Sequence, residues 1–115
     1  MTTAAYVPRS GDLIWTDFDP TRGREQAGRR PALVVSASTF TENTGLAVVC
    51  PITSRIRPFP TSVVLPAGLP VVGEILVSHF RSIDTQARPV HYAGAAIPPE
   101  IAQVVREKLN SFVTI

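Results

Sequence analysis

The sequence predicts a mainly β domain of the α+β class, in which short strands form a small barrel or sandwich and a helix follows at the C-terminus. The chain has 115 residues, the size of one domain with its own hydrophobic core. Short apolar segments recur at close spacing and are separated by turns that hold many of the 11 prolines, a pattern typical of small β folds. Residues 98–113 change to a helical period.

The strands are predicted from apolar segments bounded by proline, glycine or polar residues. The expected extended segments are residues 12–18, 31–35, 46–50, 62–65, 74–78 and 81–83. The apolar runs within 31–35 and 46–50 are unbroken, which predicts strands buried on both faces. The polar residues 36–44 between them are expected to contain a helical turn, and residues 21–30 and 55–60 are predicted loops.

The C-terminal helix is predicted from its first turn and from its periodicity. Pro98 and Pro99 stand where proline is tolerated, and Glu100 suits the positive end of the helix dipole. Apolar side chains then recur at spacings of three and four residues, at Ile101, Val104, Val105, Leu109, Phe112 and Val113. This one-sided stripe predicts an amphipathic helix that covers the strands.

Composition excludes several classes of protein. Hydrophobic residues make up 44% of the chain and charged residues 17%, which excludes disorder. No apolar run is long enough to span a membrane, and the first residues lack the features of a signal peptide, so we expect a cytoplasmic protein without a membrane partner. Cys50 is the one cysteine, which excludes an intramolecular disulfide, and with two distant histidines it leaves no zinc site; we expect no cofactor.

The basic residues are ten arginines and the single Lys108, with a net charge of +2 and a pI of about 9.2. Arginine binds phosphate through two parallel hydrogen bonds, whereas lysine acts as a point charge. Two clusters stand out, the first formed by Arg22, Arg24, Arg29 and Arg30 and the second by Arg55 and Arg57. An anionic partner such as nucleic acid and an ordinary solvated surface both remain possible interpretations.

The polar loop before Pro31 is the first candidate site. Glu25 lies among arginines and is expected to be ionised and able to accept a proton. Arg30 precedes a strand, so its position is better fixed than those of Arg22 and Arg24, and a fixed guanidinium can stabilise charge that develops on a phosphate. The alternative to a catalytic role is an exposed ion pair between Glu25 and an arginine, which would contribute little to stability.

Thr53 is the second candidate because it comes at the end of a buried strand. Strand ends present side-chain hydroxyl and backbone N–H groups to ligands. Threonine at a strand end more often satisfies a local backbone group.

Asp17 and Asp19 would share one face of a continued strand and could hold a divalent metal for nuclease chemistry. The pair Asp19-Pro20 fits a turn better, and no third ligand is near in sequence.

Four further side chains could contribute chemistry. His79 and His91 are isolated and could each be a general base or simply structural; His79 gains weight because Arg81 follows on the same side of the chain. Cys50 lies in an apolar segment and is predicted to be inert packing. Trp15 could stack on a base, but its apolar strand favours a place in the core.

The strongest signal is a set of motifs that resembles a known family. Gly11-Asp12-Leu13-Ile14-Trp15, Asp17-Phe18-Asp19-Pro20-Thr21, Gly23, Glu25-Gln26-Ala27-Gly28, Arg30-Pro31 and Pro51-x-Thr53 resemble the MazF/PemK family of bacterial toxin endoribonucleases. The resemblance extends from residue 6 to the terminal helix and is densest over residues 11–31.

The resemblance implies both a fold and an activity. The fold would be an SH3-like small β-barrel of the CcdB/PemK/MazF type with a C-terminal helix, assembled as a homodimer and bound by a cognate MazE-like antitoxin. The activity would be metal-independent, sequence-specific cleavage of single-stranded RNA, which inhibits translation and leaves a 2′,3′-cyclic phosphate and a 5′-hydroxyl.

The family's catalytic positions fall on three residues of this chain. The resemblance makes Glu25 the acid/base group, Arg30 the group that stabilises the pentavalent phosphate, and Thr53 a hydrogen-bond donor to a phosphate oxygen. The residues expected to bind the RNA substrate around them are Arg22, Arg24, Gln26, Arg29, Arg55, Arg57, His79 and Arg81.

The chain departs from the family where many members have an Asp-Gln pair and this sequence has Ser78-His79. An acid is lost and an imidazole gained, so His79 is expected either to read a base or to serve as an additional acid or base. A CcdB-like, non-enzymatic toxin that binds a protein target such as gyrase is the alternative function, and a non-catalytic RNA-binding barrel is a third. The terminal Phe112-Val113-Thr114-Ile115 lacks the tryptophan on which CcdB-type poisoning depends, which favours the enzyme.

Overall fold

Seven strands and two α-helices make up the regular structure of the described residues. The computed structural model describes residues 6–18 and 29–115. In chain order the elements are β1 (Asp12–Asp17), β2 (Arg29–Val34), α1 (Ser38–Thr44), β3 (Leu46–Thr53), β4 (Ser62–Val64), β5 (Glu74–Leu76), a 3₁₀ turn (Val77–His79), β6 (Arg81–Asp84), β7 (Val90–Ala96) and α2 (Pro99–Phe112). The predicted α+β class is confirmed.

The strands form one antiparallel sheet in the order β4-β5-β3-β2-β1-β7. β3 is the long central strand: β2 pairs with one of its edges, while β6 and β5 pair in turn with the other. Within the described ranges no pairing joins β4 to β7, so the sheet is open and its hydrogen bonding does not confirm the predicted small barrel. β3 therefore connects nearly every part of the sheet.

Two hydrophobic clusters lie on opposite faces of the central strands. Adjacent residues of one strand belong to different clusters, as Leu13 and Ile14 do in β1 and as Leu33 and Val34 do in β2. Side chains alternate along a strand, so an unbroken apolar run can fill both clusters at once. This confirms the predicted double-sided burial. Val105 of α2 joins the cluster that contains Leu13 and Leu33, which confirms that the helix covers the strands.

Several predicted boundaries were wrong for identifiable reasons. β2 begins at Arg29 and not at Pro31, because Arg29 and Arg30 pair with Asp17 and Thr16 of β1. β3 continues past residue 50 to Thr53, because its last two residues pair with β5. The predicted strand 74–78 ends at Leu76, where the 3₁₀ turn begins. β7 was not predicted, because its Ala93-Gly94-Ala95 centre has little apolar bulk.

The helices begin and end at residues suited to those positions. Gly45 follows α1 with a φ of 77°, a left-handed conformation that glycine adopts without a steric penalty. α2 begins at Pro99, as predicted, and Glu100 lies in its first turn. Neither helix in the described part of the chain has the length and hydropathy needed to cross a membrane.

Candidate nucleic-acid interface

Arg30 and Thr53 come together through the pairing of β2 with β3. The register sets Ala32 opposite Pro51 and Leu33 opposite Cys50. Arg30 and Thr53 lie two residues beyond Ala32 and Pro51, at the same end of the β2–β3 pairing. Arg30 is also paired with Thr16 of β1, so its backbone is held on that side by the sheet. Both residues line one depression of about 340 Å³.

This first depression has a basic rim and an apolar wall. Its lining is made up of Trp15, Arg29, Arg30, Pro31, Ile52, Thr53, Ser54, Pro70, Val71 and Val72. Both arginines are exposed, whereas Trp15 is half-buried against the core. Trp15 packs against the core, as predicted, and its half-buried side chain also forms part of this surface wall.

A second depression of about 180 Å³ adjoins the first at Thr53. Its lining is made up of Thr53, Arg55, Arg57, Phe59, Glu74, Leu76 and His79. Among the residues that the structure describes, Thr53 alone lines both, and we refer to the two depressions together as the Thr53 cleft. Five of the predicted substrate-binding or catalytic residues besides Thr53 therefore line one surface: Arg29, Arg30, Arg55, Arg57 and His79.

The Thr53 hydroxyl has a local partner as well as a place in the cleft. Its oxygen accepts the backbone N–H of Arg55 at 3.1 Å, which is the local role that threonine at a strand end commonly has. A hydroxyl that accepts one hydrogen bond keeps its own proton for donation. The side chain can therefore orient Arg55 and donate to a ligand oxygen at the same time.

Glu74, the first residue of β5, was not predicted to belong to the site. It is only 1% exposed, and it lies opposite Thr53 in the β3–β5 pairing. The Ser62 hydroxyl donates to its carboxylate, as do the backbone N–H groups of Arg57 at 2.6 Å and Phe59 at 3.3 Å. The hydrogen bond from Ser62, followed by that from Arg57, lowers the pKa of Glu74, while burial opposes this shift.

Gly73 brings β5 close to β3 at this point. Its φ is 143°, and a Cβ placed on it would collide with the carbonyl oxygen of Thr53. The Gly73 carbonyl also accepts the N–H of Leu65 at 2.9 Å. Glycine is thus required by both conformation and space immediately before Glu74.

Arg81 lies elsewhere. Its guanidinium is 5.4 Å from the centroid of the Phe18 ring, and on β6 it pairs with Val49, four residues before Thr53. It lines neither depression of the Thr53 cleft. A cation over an aromatic face is stabilised there, so the structure gives Arg81 a packing role at the end of β1.

Five of the predicted residues lie outside the described residues: Glu25, Arg22, Arg24, Gln26 and Asp19. Cys50 is fully buried, and burial raises the pKa of its thiol to about 12, which agrees with the prediction of inert packing. In the ranges that the structure describes, no three His, Cys, Asp or Glu side chains are grouped as metal ligands.

Arg88 has a structural role that the sequence did not predict. Its guanidinium donates to the carbonyl oxygens of Asp17, at 2.9 Å, and of Phe18. It thereby fixes the end of β1, where Asp17 is paired with Arg29. No sequence signal linked Arg88 to a strand more than 70 residues earlier, because only the folded sheet brings them together.

Comparison with known proteins agrees with this geometry. Residues 9–113 match the family described as PemK-like, MazF-like toxin of type II toxin-antitoxin system. The chain is 41% identical over 108 residues to the endoribonuclease toxin MazF of Escherichia coli K12, covering 94% of this chain and 96% of that protein. It is 36% identical over 109 residues to the endoribonuclease PemK of Escherichia coli, covering 90% and 80%.

Solved structures give the same result. MazF from Deinococcus radiodurans (form I) superposes with a TM-score of 0.82 at 45% identity, covering 93% of this chain and 96% of that one. A MazE–MazF structure from the same organism (form III) gives a TM-score of 0.83 at 43% identity, covering 92% and 95%. With a family match over nearly the whole length, the predicted resemblance is confirmed: the chain belongs to the PemK-like, MazF-like family of toxins of type II toxin–antitoxin systems.

Proposed function

We propose that this toxin cleaves single-stranded RNA in the Thr53 cleft, at short sequence motifs and without a metal ion, and thereby inhibits translation. The activity class, endoribonuclease, follows from the family and from relatives of that name that match over nearly their whole lengths. The observation that carries the finer proposal is that Arg30 and Thr53 line one depression. Exposed Arg29 lies in the same depression, and exposed Arg55, Arg57 and Phe59 line the adjoining one.

Arg30 is proposed to stabilise the negative charge that develops on the phosphate. Its backbone is fixed by pairing with β1, while its side chain is exposed at the rim of the cleft. A preorganised guanidinium can hold two phosphate oxygens and gains strength as charge builds up in the transition state. Arg29, its neighbour in the same depression, is proposed to bind an adjoining phosphate.

Thr53 is proposed to donate its hydroxyl hydrogen to a phosphate oxygen. Since the hydroxyl oxygen already accepts the N–H of Arg55, its orientation is restricted before substrate binds. Such preorganisation reduces the cost of reaching the transition state.

The bond changes are those of an internal transesterification. Glu25, in the loop outside the described residues, is proposed to take the proton of a ribose 2′-hydroxyl. The 2′-oxygen attacks the adjacent phosphorus, and the bond to the 5′-oxygen breaks with its electron pair. That oxygen then receives a proton, so the products are a 2′,3′-cyclic phosphate and a 5′-hydroxyl. No step requires a metal ion.

The second depression is proposed to hold the nucleotides beside the cleaved bond. Arg55 and Arg57 supply positive charge, and Phe59, which is 56% exposed, offers a ring on which a base can stack. His79 also lines this depression and is proposed to read a base edge. Arg22, Arg24 and Gln26 are proposed to extend the contact along the RNA.

The assembly is proposed to be a homodimer that a MazE-like antitoxin inhibits in the cytoplasm. Exposed aromatic side chains support a protein partner: Phe80 and Phe112 pack at 6.3 Å between ring centroids, and both remain exposed. The MazE–MazF structures from Deinococcus radiodurans support an antitoxin. We also propose that the sheet, which is open in its backbone pairing, belongs to the SH3-like small-barrel fold that the resemblance implies.

The decisive experiment is RNA cleavage by the purified toxin in excess EDTA. Wild type is expected to cut a labelled single-stranded RNA at discrete sites, to leave double-stranded RNA intact, and to give 3′ ends that resist phosphatase until acid opens the cyclic phosphate. Primer extension on a long RNA would then reveal the motif. Loss of cutting in EDTA with recovery in Mg²⁺ would overturn the metal-independent mechanism, and RNA binding without any cutting would overturn catalysis at this site.

A further inference from the structure

The loop between β3 and β4 has an unusual arrangement of hydrogen-bond donors. Residues 55–60 form no regular secondary structure and are all exposed. Proline has no N–H group, so with Pro58 and Pro60 in this stretch the donors beyond residue 56 are Arg57 and Phe59. In an extended chain, N–H groups two residues apart point to the same side.

Both of those donors bind one buried side chain. Arg57 donates its N–H to Oε1 of Glu74 at 2.6 Å, and Phe59 donates to Oε2 at 3.3 Å. The Ser62 hydroxyl, at the start of β4, also donates to the carboxylate and accepts the Phe59 N–H at 3.1 Å. One carboxylate therefore joins the middle of the loop to the strand that follows it.

A carboxylate that is 1% exposed is costly unless its oxygens are hydrogen-bonded. Here the loop supplies that compensation, and in return Glu74 determines where the loop backbone lies. The side chains of Arg55, Arg57 and Phe59 all line the second depression of the Thr53 cleft. Glu74 is also the β5 partner of Thr53 in the sheet. It therefore fixes the position of the loop relative to Thr53.

We propose that Glu74 is a positioning residue for RNA binding, which holds Arg57 and Phe59 in place through their backbone N–H groups and does not itself touch RNA. This proposal rests on the proposed function, since it assigns a substrate to the loop.

The charge of Glu74 makes a purely electrostatic role and a positioning role predict opposite changes in RNA affinity. A buried negative charge beneath a phosphate-binding surface repels RNA, so electrostatics alone would make Glu74→Gln bind RNA more tightly. Glutamine has one acceptor oxygen, and its NH₂ group cannot accept the second N–H. If Glu74 acts by holding Arg57 and Phe59 in position, Glu74→Gln should bind RNA more weakly, which is opposite to the electrostatic expectation.

Asp12 provides a matched control at a distance from the cleft. It is a carboxylate that is 8% exposed and accepts the Tyr6 hydroxyl at 2.5 Å and the Arg9 N–H at 3.1 Å. Asp12→Asn thus removes a buried carboxylate that is held in a similar way but does not contact the loop. Any effect that arises merely from loss of stability should appear in both variants.

The experiment combines amide hydrogen exchange by NMR with RNA binding and cleavage in EDTA. In wild type, the Arg57 and Phe59 amides are expected to be protected although the loop is exposed; their full exposure to exchange would overturn the proposal without any variant. In Glu74→Gln, exchange at one or both amides should rise about tenfold, the scale of one lost hydrogen bond. RNA affinity should fall by a similar factor. KM for cleavage should therefore rise, with little change in kcat.

Asp12→Asn should leave both amides and KM unchanged. Tighter RNA binding by Glu74→Gln, or equal losses in both variants, would contradict the positioning role. Failure of the proposed function is recognisable separately, because wild type would then not cut RNA while its amide protection would still report on the Glu74 hydrogen bonds.

Discussion

Thr53 and Glu74 are direct neighbours across the β3–β5 pairing, and each accepts N–H groups from the loop that leaves β3. Thr53 holds Arg55, and Glu74 holds Arg57 and Phe59. Every second residue of the loop is thus bonded to a side chain of the sheet. This relationship explains how a segment without regular structure can present its side chains at defined positions.

Arg30→Ala is expected to reduce the cleavage rate by on the order of 10²-fold, because removing one donor to transition-state charge has effects of that size. Arg30→Lys should recover only part of the loss, since an ammonium group cannot hold two oxygens in parallel. Single-turnover kinetics with saturating enzyme would measure the chemical step. Arg106→Ala on α2 is the matched control, because this exposed arginine bonds to Gln103 away from the cleft. A rate near that of wild type for Arg30→Ala would refute the assignment.

Thr53→Val and Thr53→Ser form the second test. Valine preserves shape but removes the hydroxyl, so the phosphate loses a donor and the Arg55 N–H loses its acceptor. We expect a rate loss of roughly tenfold or more, consistent with a lost hydrogen bond to a charged group. Serine retains the hydroxyl and should act within a few-fold of wild type. Equal activity of the valine and serine variants in single-turnover assays would show that the hydroxyl takes no part.

His79→Gln distinguishes base reading from acid or base catalysis. Glutamine can still donate and accept hydrogen bonds but does not titrate near neutrality. If His79 reads a base, the cut sites mapped by primer extension should change while the pH–rate profile keeps its shape. An inflection near neutral pH that disappears in the variant, with the same cut sites as wild type, would instead assign a proton-transfer role.

The lowered pKa of Glu74 predicts a particular dependence of stability on pH. Folding favours its ionised form, so its contribution to stability is complete above the ordinary value of 4.5 and is lost as pH falls through the lower value of the folded state. Urea unfolding of wild type and Glu74→Gln should therefore differ more at pH 7 than at pH 3. Glu107→Gln, an exposed change on α2, serves as control. A difference that grows on acidification would contradict the hydrogen bonding described for Glu74.

Sequence reasoning succeeded where the signal was local. The unbroken run at Ala32, Leu33 and Val34 predicted a strand buried on both faces, and the stripe through Val105 predicted the covering helix. Motifs shared with the family marked Arg30 and Thr53, which the sheet then brings together.

It failed where distant segments create the environment. Nothing near Glu74 in sequence indicates that its acceptors will meet Arg57, 17 residues earlier. Likewise, the partners that extend β2 back to Arg29 lie on β1, and the small residues of β7 acquire their role only by pairing with β1. The spacing of the strands predicted a barrel or sandwich without deciding between them, because closure of a sheet depends on pairing between distant strands that no local pattern reports.

The close approach of Gly73 to Thr53 also affects how the gene can vary. Any other residue there would have to displace the Thr53 carbonyl or distort the backbone ahead of Glu74. Both changes fall on the Thr53 cleft, and the added Cβ would also press on the side chain of Ile52 in the adjoining hydrophobic cluster, 3.0 Å away. Alleles altered at this codon should therefore yield harmless protein, the kind of product that survives when cells are selected to tolerate expression of a toxin.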